Sequence, residues 1–190
     1  AYGKELVDIY YFDDLLYQNG NEKNFRFLDF DNNKFLDYTF YIGIGYNHLP
    51  IRKEICEQIL NNKFDLPSFI HKTSYINPTA KIANGVFIYP MCNIDQMVCI
   101  EDGVIINNSA TISHDTIIDT CAFISPGVTI AGNVKIGKFC FVGTGSVVAN
   151  NVTVGNKVRI GIGSNITKDV QENSNVIGNP FKILNKNFRI

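Results

Sequence analysis

Residues 100–136 read IEDGVI INNSAT ISHDTI IDTCAF ISPGVT IAGNVK I, with an isoleucine at every sixth position. The spacing extends in both directions, so that an isoleucine or valine recurs every six residues from Ile76 to Ile166 without a slip. Four residues after each of these positions lies a small or β-branched residue. A helix has a period near 3.6 residues and a plain strand a period of 2, so neither explains a period of six. The pattern is therefore an internal repeat.

Glycine, asparagine and aspartate collect between the aliphatic positions, as in Asp102-Gly103, Pro126-Gly127 and Asn150-Asn151. These residues enter left-handed backbone conformations at low cost. The repeat thus predicts short β-strands that are interrupted by a turn once every six residues. It resembles the hexapeptide repeat of proteins that form a left-handed parallel β-helix, in which three hexapeptides make one triangular coil. Residues three hexapeptides apart would then stack at roughly the 4.8 Å spacing of neighbouring strands.

The segment before the repeat, residues 1–68, predicts a different unit. Alternating helices and strands favour a small Rossmann-like α/β domain with a parallel sheet over residues 1–68, followed by a β-helix domain with a C-terminal tail over 69–190. The predicted elements are a helix over Gly3–Gln18, strands over Phe25–Phe30 and Thr39–Ile44, and a helix over Pro50–Leu60. A strand and a Gly-rich turn are expected to precede Ala1 in the natural protein. The alternative, a helix that simply starts the chain, stays open.

Composition excludes several classes of partner. The chain has 190 residues, a net charge of −1 and a pI near 6.3, which argues against nucleic acid or an anionic membrane as the partner. No apolar run has the length of a membrane span, and no secretory signal is visible. The 5 cysteines show no pairing pattern. An odd count of this kind is typical of a reducing compartment, so we expect a cytoplasmic protein.

His114 is the only histidine inside the repeat. It stands third in its hexapeptide, at a turn, so its side chain should point away from the core. Gly132 follows three hexapeptides later, in the same column of the next coil, and would leave space for a ligand beside the ring. Asp115 could orient the imidazole. Histidine is the side chain best suited to take a proton near neutral pH, and a backbone N–H can stabilise an oxyanion. These residues predict a general base, His114, and beside it a possible oxyanion donor, the N–H of Gly132.

Motifs in both units resemble one family of bacterial enzymes. They are Phe27-Leu28-Asp29, Ile42-Gly43-Ile44-Gly45 followed by Asn47 and Arg52, Ile112-Ser113-His114-Asp115, Ala131-Gly132-Asn133-Val134-Lys135-Ile136-Gly137 and Val176-Ile177-Gly178-Asn179-Pro180-Phe181-Lys182. The family is that of the sugar O- and N-acyltransferases related to sialic acid O-acetyltransferase. The branch that N-acetylates nucleotide-linked 4-amino-4,6-dideoxy sugars is the most similar.

This resemblance implies an acetyl-CoA-dependent N-acetyltransferase that acts on a UDP- or dTDP-linked amino sugar, for a surface polysaccharide or glycoprotein. It implies direct acyl transfer, with His114 as the general base and the Gly132 N–H as the oxyanion donor. It also implies a homotrimer, with acetyl-CoA in the cleft between adjacent prisms. Two alternatives stay open. One is transfer to a sugar hydroxyl or from another acyl-CoA, and the other is a non-catalytic β-helix that binds a nucleotide sugar or serves as a scaffold.

The resemblance also implies roles for residues outside the His114 column. The substrate would contact Gly3, Asp29, Asp31, Asn47, Arg52 and Asn107. The cofactor would contact Phe123, Gly132, Asn133, Gly143, Gly145 and Gly161. Phe123 stands where the family usually has a second histidine, and Tyr2 where it has one in its N-terminal turn. Arg52 could instead lie on a solvated helix face. The glycines could be needed for turn geometry alone. No metal is expected, because His48 and His71 lie outside the repeat and cannot converge with His114 as the three zinc ligands of γ-class carbonic anhydrases do.

Overall fold

The computed structural model describes residues 10–12, 18, 20, 22–26, 29, 35 and 37–184. In the N-terminal unit, strands β1 (Tyr11–Phe12) and β2 (Asn24–Phe25) pair in parallel. A 3₁₀ helix (Tyr46–His48) leads directly into helix α1 (Leu49–Asn61), which has a proline in its first turn. Proline is well placed there because the first turn needs no hydrogen bond from its N–H.

The rest of the chain consists of short strands. Strands β3 to β19 have two residues each: Phe69–Ile70, Tyr75–Ile76, Lys81–Ile82, Phe87–Ile88, Asn93–Ile94, Cys99–Ile100, Ile105–Ile106, Thr111–Ile112, Ile117–Ile118, Phe123–Ile124, Thr129–Ile130, Lys135–Ile136, Phe141–Val142, Val147–Val148, Thr153–Val154, Arg159–Ile160 and Asn165–Ile166. A closing hairpin is formed by β20 (Asn175–Gly178) and β21 (Phe181–Leu184).

The short strands build a three-sided β-helix of about six coils. The first face contains β3, β6, β9, β12, β15, β18, β20 and β21, the second face β4, β7, β10, β13, β16 and β19, and the third face β5, β8, β11, β14 and β17. Pairing between the coils is parallel, and within β3 to β19 each residue pairs with the one three hexapeptides further along, as Ile112 does with Ile130. Three hexapeptides therefore make one coil. The sequence-based prediction of a parallel β-helix is confirmed.

The aliphatic column fills the interior of the prism. Its side chains from Ile88 to Ile160 are at most 1% exposed, and the small column packs between them. Burial of one such side chain stabilises the fold by about 1.5–3 kcal/mol. Each corner places a residue in the left-handed conformation, at every sixth position from Gly85 to Gly163. Several of these residues, such as Met97 and Phe139, are not typical of that conformation, so the repeat dictates the turn even where its local sequence does not.

The N-terminal unit differs from the prediction at two strands and one helix. Helix α1 confirms the helix expected over Pro50–Leu60. The strand expected over Thr39–Ile44 is wrong, because only Thr39 forms a bridge, with Asp65, while Phe40 and Ile42 pack into an aromatic core. Of the helix expected over Gly3–Gln18, Tyr11 and Phe12 are in β1; nearly all its other residues lie outside the described residues.

Aromatic packing explains the strand at Tyr11 and Phe12. Tyr10 and Phe12 each contact Phe25 and Phe35 edge-on or tilted, at centroid distances of 4.9–5.8 Å. Aromatic residues fit the pleated surface of a strand, and here these contacts override the helical pattern. Of the described residues in the predicted Phe25–Phe30 element, only Phe25 is in a strand, at the end of β2, and Asp29 lies in a short turn.

Arg52 joins the N-terminal unit to the β-helix. It is 0% exposed, and its guanidinium donates hydrogen bonds to the carbonyls of Ile42, Ile44, Gly85 and Gly103 at 2.5–3.1 Å. Burial lowers the pKa of this guanidinium. The predicted substrate contact of Arg52 and the alternative of a solvated helix face are therefore both wrong: the side chain is enclosed, and the backbone carbonyls accept its hydrogen bonds.

Aromatic contacts attach the same unit to the first face. Tyr41 packs edge-on against Phe87, and Tyr46 packs against Phe123 and Phe141 at 5.4 and 5.0 Å. The described part of the N-terminal unit thus covers the outward side of the first face and, through Arg52, the adjoining corner between the third and first faces.

Candidate active site

His114 lies at the corner between the second and third faces, directly after β10. Its side chain is 50% exposed, and its Nδ1 atom lies 2.9 Å from Oδ2 of Asp115. Asp115 occupies the left-handed position of this turn, with φ of 58°. An ionised carboxylate only accepts hydrogen bonds, so Asp115 favours the tautomer with the proton on Nδ1. The Nε2 atom is then left as an acceptor, as a general base requires.

The ring of His114 lies against the backbone of Gly132, one coil further along. A Cβ atom on Gly132 would be 2.4 Å from Cε1 and 2.5 Å from Nε2 of the imidazole, much closer than atoms pack. Only glycine therefore permits this ring position. The structure brings together His114, Asp115 and Gly132, the three residues that the sequence predicted as a catalytic group.

The N–H of Gly132 has a partner that sequence reasoning missed. It donates to Oδ1 of Asn150, one coil further along, at 2.8 Å. The predicted oxyanion donor is thus already hydrogen-bonded to a side chain. The column spacing was the available signal, since Asn150 follows Gly132 by three hexapeptides. Asn133 lies beside Gly132 on the same corner and donates from Nδ2 to Oδ1 of Asn151 at 2.8 Å. Its predicted cofactor contact stays a prediction.

The other predicted cofactor residues lie away from His114 within the chain. Phe123 is on the first face, stacked on Phe141 at 5.8 Å and packed against Tyr46, so these contacts do not support a cofactor role for it. Gly143, Gly145 and Gly161 lie at the corner between the first and second faces.

Structural reasons account for those three glycines. A Cβ on Gly143 would be 2.7 Å from the carbonyl oxygen of Ile160, and one on Gly161 would be 2.7 Å from the side chain of Ile177. Gly145 has a φ of 67°, which side chains rarely adopt. Stacking and turn geometry therefore explain these positions, and their contact with a cofactor stays a prediction.

The predicted substrate residues are dispersed in the single chain. Asn107 lies at the corner before β10 and donates from Nδ2 to the Ile124 carbonyl at 3.0 Å. Asn47 is exposed in the 3₁₀ helix. The Asp29 carboxylate accepts the N–H of Arg26 at 3.2 Å. Gly3 and Asp31 lie outside the described residues. Asn47 belongs to the unit that covers the first face, whereas His114 is on the opposite corner of the prism.

Two further properties concern only the described part of the chain. It contains no group of three His, Cys, Asp or Glu arranged to hold a metal ion. None of its helices has the length and apolar character needed to cross a bilayer.

Comparison with known proteins identifies the family. Residues 65–160 match the family described as the GMPPB C-terminal domain. The acetyltransferase domain of PglB from Neisseria gonorrhoeae FA1090 is 32% identical, with a TM-score of 0.80 over 84% of this chain and 77% of that chain. The structure of that domain in complex with acetyl coenzyme A is 34% identical, with a TM-score of 0.74 over 77% and 70% of the two chains. The chain belongs to the hexapeptide-repeat β-helix acetyltransferases.

Another similar structure is that of a sugar N-acetyltransferase. PerB from Caulobacter crescentus, in complex with CoA and GDP-perosamine, is 25% identical, with a TM-score of 0.80 over 84% of this chain and 77% of that chain. Variants of this GDP-perosamine N-acetyltransferase with a histidine replaced by alanine or asparagine also match. A sequence search of curated proteins found no match.

Proposed function

We propose that this acyltransferase transfers the acetyl group of acetyl-CoA to the amino group of a nucleotide-linked 4-amino-4,6-dideoxy sugar. The observation that carries the proposal is the His114–Asp115 pair held against Gly132 at an exposed corner. Similarity to an acetyltransferase domain crystallised with acetyl coenzyme A supports the acyl donor. Similarity to an enzyme crystallised with CoA and GDP-perosamine supports a nucleotide-linked amino sugar as acceptor, and it adds GDP to the candidate nucleotides UDP and dTDP.

His114 acts as general base. An amine attacks a carbonyl only in its neutral form, and the nitrogen must lose a proton as the new C–N bond forms. Nε2 of His114 takes that proton, while Asp115 stabilises the resulting imidazolium through Nδ1. Collapse of the tetrahedral intermediate breaks the C–S bond, and the proton passes to the CoA thiolate. The products are the N-acetyl sugar and CoA, so that atoms and charge balance.

A site between two copies of the chain explains the dispersed residues. The N-terminal unit covers the first face, and His114 lies on the opposite corner of the same prism. One chain therefore cannot place its own Asn47 next to its own His114 without rearrangement. A second copy can supply the missing part, and a homotrimer closes three such sites at once. Light scattering should then give about 64 kDa, three times the 21.3 kDa of one chain.

We also propose that the protein is cytoplasmic, because its odd number of cysteines without a pairing pattern is typical of a reducing compartment.

Thiol release from acetyl-CoA tests the proposal. The acceptors are the 4-amino-4,6-dideoxy sugars linked to UDP, dTDP and GDP, each paired with its 4-hydroxy counterpart. The variants are His114→Ala and, as a matched control, His71→Ala, which removes a partly exposed imidazole whose hydrogen bonds with the described residues are to Thr73 of its own turn. General-base help is worth about 10²- to 10⁴-fold in rate, so His114→Ala should lower kcat by that factor while acetyl-CoA still binds.

Each result has a distinct meaning. Turnover with an amino sugar but not with its hydroxy counterpart, lost in His114→Ala and kept in His71→Ala, supports N-acetylation with His114 as base. Faster turnover of a hydroxy sugar would replace the proposal with O-acetylation. Wild-type activity in His114→Ala would contradict the mechanism.

A further inference from the structure

The hydrogen bond between Gly132 and Asn150 is one of several similar hydrogen bonds between successive coils of this β-helix. The N–H at the third position of a hexapeptide donates to an Asp or Asn side chain one coil later at three places. These are Asn84 with Asp102 at 2.8 Å, Gly132 with Asn150 at 2.8 Å and Lys138 with Asn156 at 2.9 Å. The bond thus ties one coil to the next wherever it occurs.

The Gly132 bond differs from the other two in its surroundings. The imidazole of His114 lies directly against Gly132, so this N–H is next to the atom that takes the proton in the proposed reaction. Asn150 is an exposed residue of the same corner. An N–H carries one hydrogen and makes one strong hydrogen bond. An acyl carbonyl that approaches the Gly132 N–H therefore competes with Oδ1 of Asn150.

We propose that Asn150 is a positioning residue that controls access of the thioester carbonyl to the Gly132 N–H. Its amide oxygen holds this donor in the direction that the carbonyl needs, and acetyl-CoA binds productively by displacing it. The inference rests on the proposed function, and it takes the Gly132 N–H as the oxyanion donor of that reaction, the role expected from the sequence. Asn150 therefore lowers the affinity for acetyl-CoA. It does not lower the affinity for CoA, because CoA has no acyl carbonyl to compete for the N–H.

Two substitutions at Asn150 should change acetyl-CoA binding in opposite directions. Asn150→Ala removes the competing oxygen, and the exchange of one neutral hydrogen bond corresponds to about a 2- to 10-fold tighter Kd for acetyl-CoA. Asn150→Asp puts a charged acceptor on the same N–H, which binds it more strongly, so the Kd for acetyl-CoA should rise by a similar factor. The Kd for CoA should stay the same relative to wild type in Asn150→Ala.

Asn156→Ala is the matched control. It removes the same kind of bond, to the N–H of Lys138, at the corner between the third and first faces, away from His114. Titration calorimetry with acetyl-CoA and with CoA, without any acceptor sugar, gives the ratio of the two Kd values for each protein. This ratio should fall in Asn150→Ala, rise in Asn150→Asp and keep its wild-type value in Asn156→Ala. Melting curves should show a similar small loss of stability for both alanine variants.

Other outcomes overturn the inference. An unchanged ratio in Asn150→Ala means that the amide oxygen does not compete with the acyl carbonyl. A ratio that rises in this variant means that Asn150 itself binds the acyl group. If wild-type protein turns over none of the acceptor sugars but the ratios change as expected, the proposed acceptor is wrong and the inference stands. If wild-type protein does not bind acetyl-CoA, both the proposed function and the inference fail.

Discussion

Gly132→Ala should separate the position of His114 from the stability of the fold. Gly132 does not have a left-handed φ, so its backbone accepts alanine without strain. The new Cβ would meet Cε1 and Nε2 of His114 at 2.4 and 2.5 Å, whereas ordinary contacts begin near 3.4 Å. The imidazole must therefore move by about 1 Å. It is half exposed and can move toward solvent, which breaks or lengthens its bond to Asp115.

The expected loss follows from that displacement. A misplacement of about 1 Å can lower an enzyme's rate by about 10²-fold, so kcat should fall by about two orders of magnitude. The N–H of Gly132 remains, and no core residue is moved. A change of about 1 kcal/mol or less shifts the melting temperature of a chain of this size by about 2–4 °C. We therefore expect a protein with about 1% of the wild-type kcat that melts close to wild type.

Gly137→Ala provides the contrast. Its Cβ would be 2.7 Å from Oδ1 and 2.8 Å from the backbone N of Asn156, at a corner away from His114. The backbone of Asn156 cannot move away as a side chain can, so this variant should lose about 1–3 kcal/mol of folding stability. Its folded fraction should keep the wild-type activity. Thiol release and thermal melts by circular dichroism, run on both variants, make the comparison. Retention of more than half of the wild-type kcat by Gly132→Ala would refute the placement of His114 as the base.

Two further predictions concern stability. Arg52→Met leaves four backbone carbonyls without their donor and should lower the free energy of unfolding by at least about 3 kcal/mol in urea denaturation. Lys53→Met, on the same helix but outside the core, should leave the curve near that of wild type, and equal curves for both variants would contradict the role of Arg52. Burial raises the pKa of Cys140 from 9.0 to about 12. The unfolded chain therefore loses this proton first, and stability falls as pH rises from about 9 toward 12, by up to about 1.4 kcal/mol per pH unit. Cys140→Ala should flatten this part of the pH dependence; identical slopes for both proteins would show that the thiol is not protected.

The β-helix could be predicted from the sequence because the same pattern of buried and turn residues occurs in every coil. Each coil buries an Ile or Val from all three faces, as Ile112, Ile118 and Ile124 show, and a single error in register would expose a whole column. The N-terminal unit offered no such redundancy. The run Thr39–Ile44 has the composition of a strand, yet its apolar side chains Phe40 and Ile42 are buried by contacts with aromatic residues elsewhere in the unit. The strand propensity of a short segment is a weak determinant of its structure when tertiary contacts of this kind favour another conformation.

The candidate site was predictable only in part. The column spacing placed Gly132 next to His114, and the neighbouring position placed Asp115 within reach of Nδ1. The partner of the Gly132 N–H could not be predicted with the same certainty, because an asparagine at a turn is equally explained by backbone conformation. Arg52 shows the opposite case: the resemblance implied a substrate contact for it, and its burial was not visible in the local sequence pattern.

By itself, the sequence determined a repeat of short strands and turns with a period of six, because that period matches neither a helix nor a plain strand. The resemblance to hexapeptide-repeat proteins supplied the three hexapeptides per coil, and with them the column that His114 shares with Gly132. Only the tertiary structure decided what Arg52 and Asn150 do and which face the N-terminal unit covers. Those outcomes depend on contacts between residues far apart in the chain, such as the hydrogen bond from Arg52 to the carbonyl of Gly103. Such contacts are set by how whole units pack, and no local pattern encodes them.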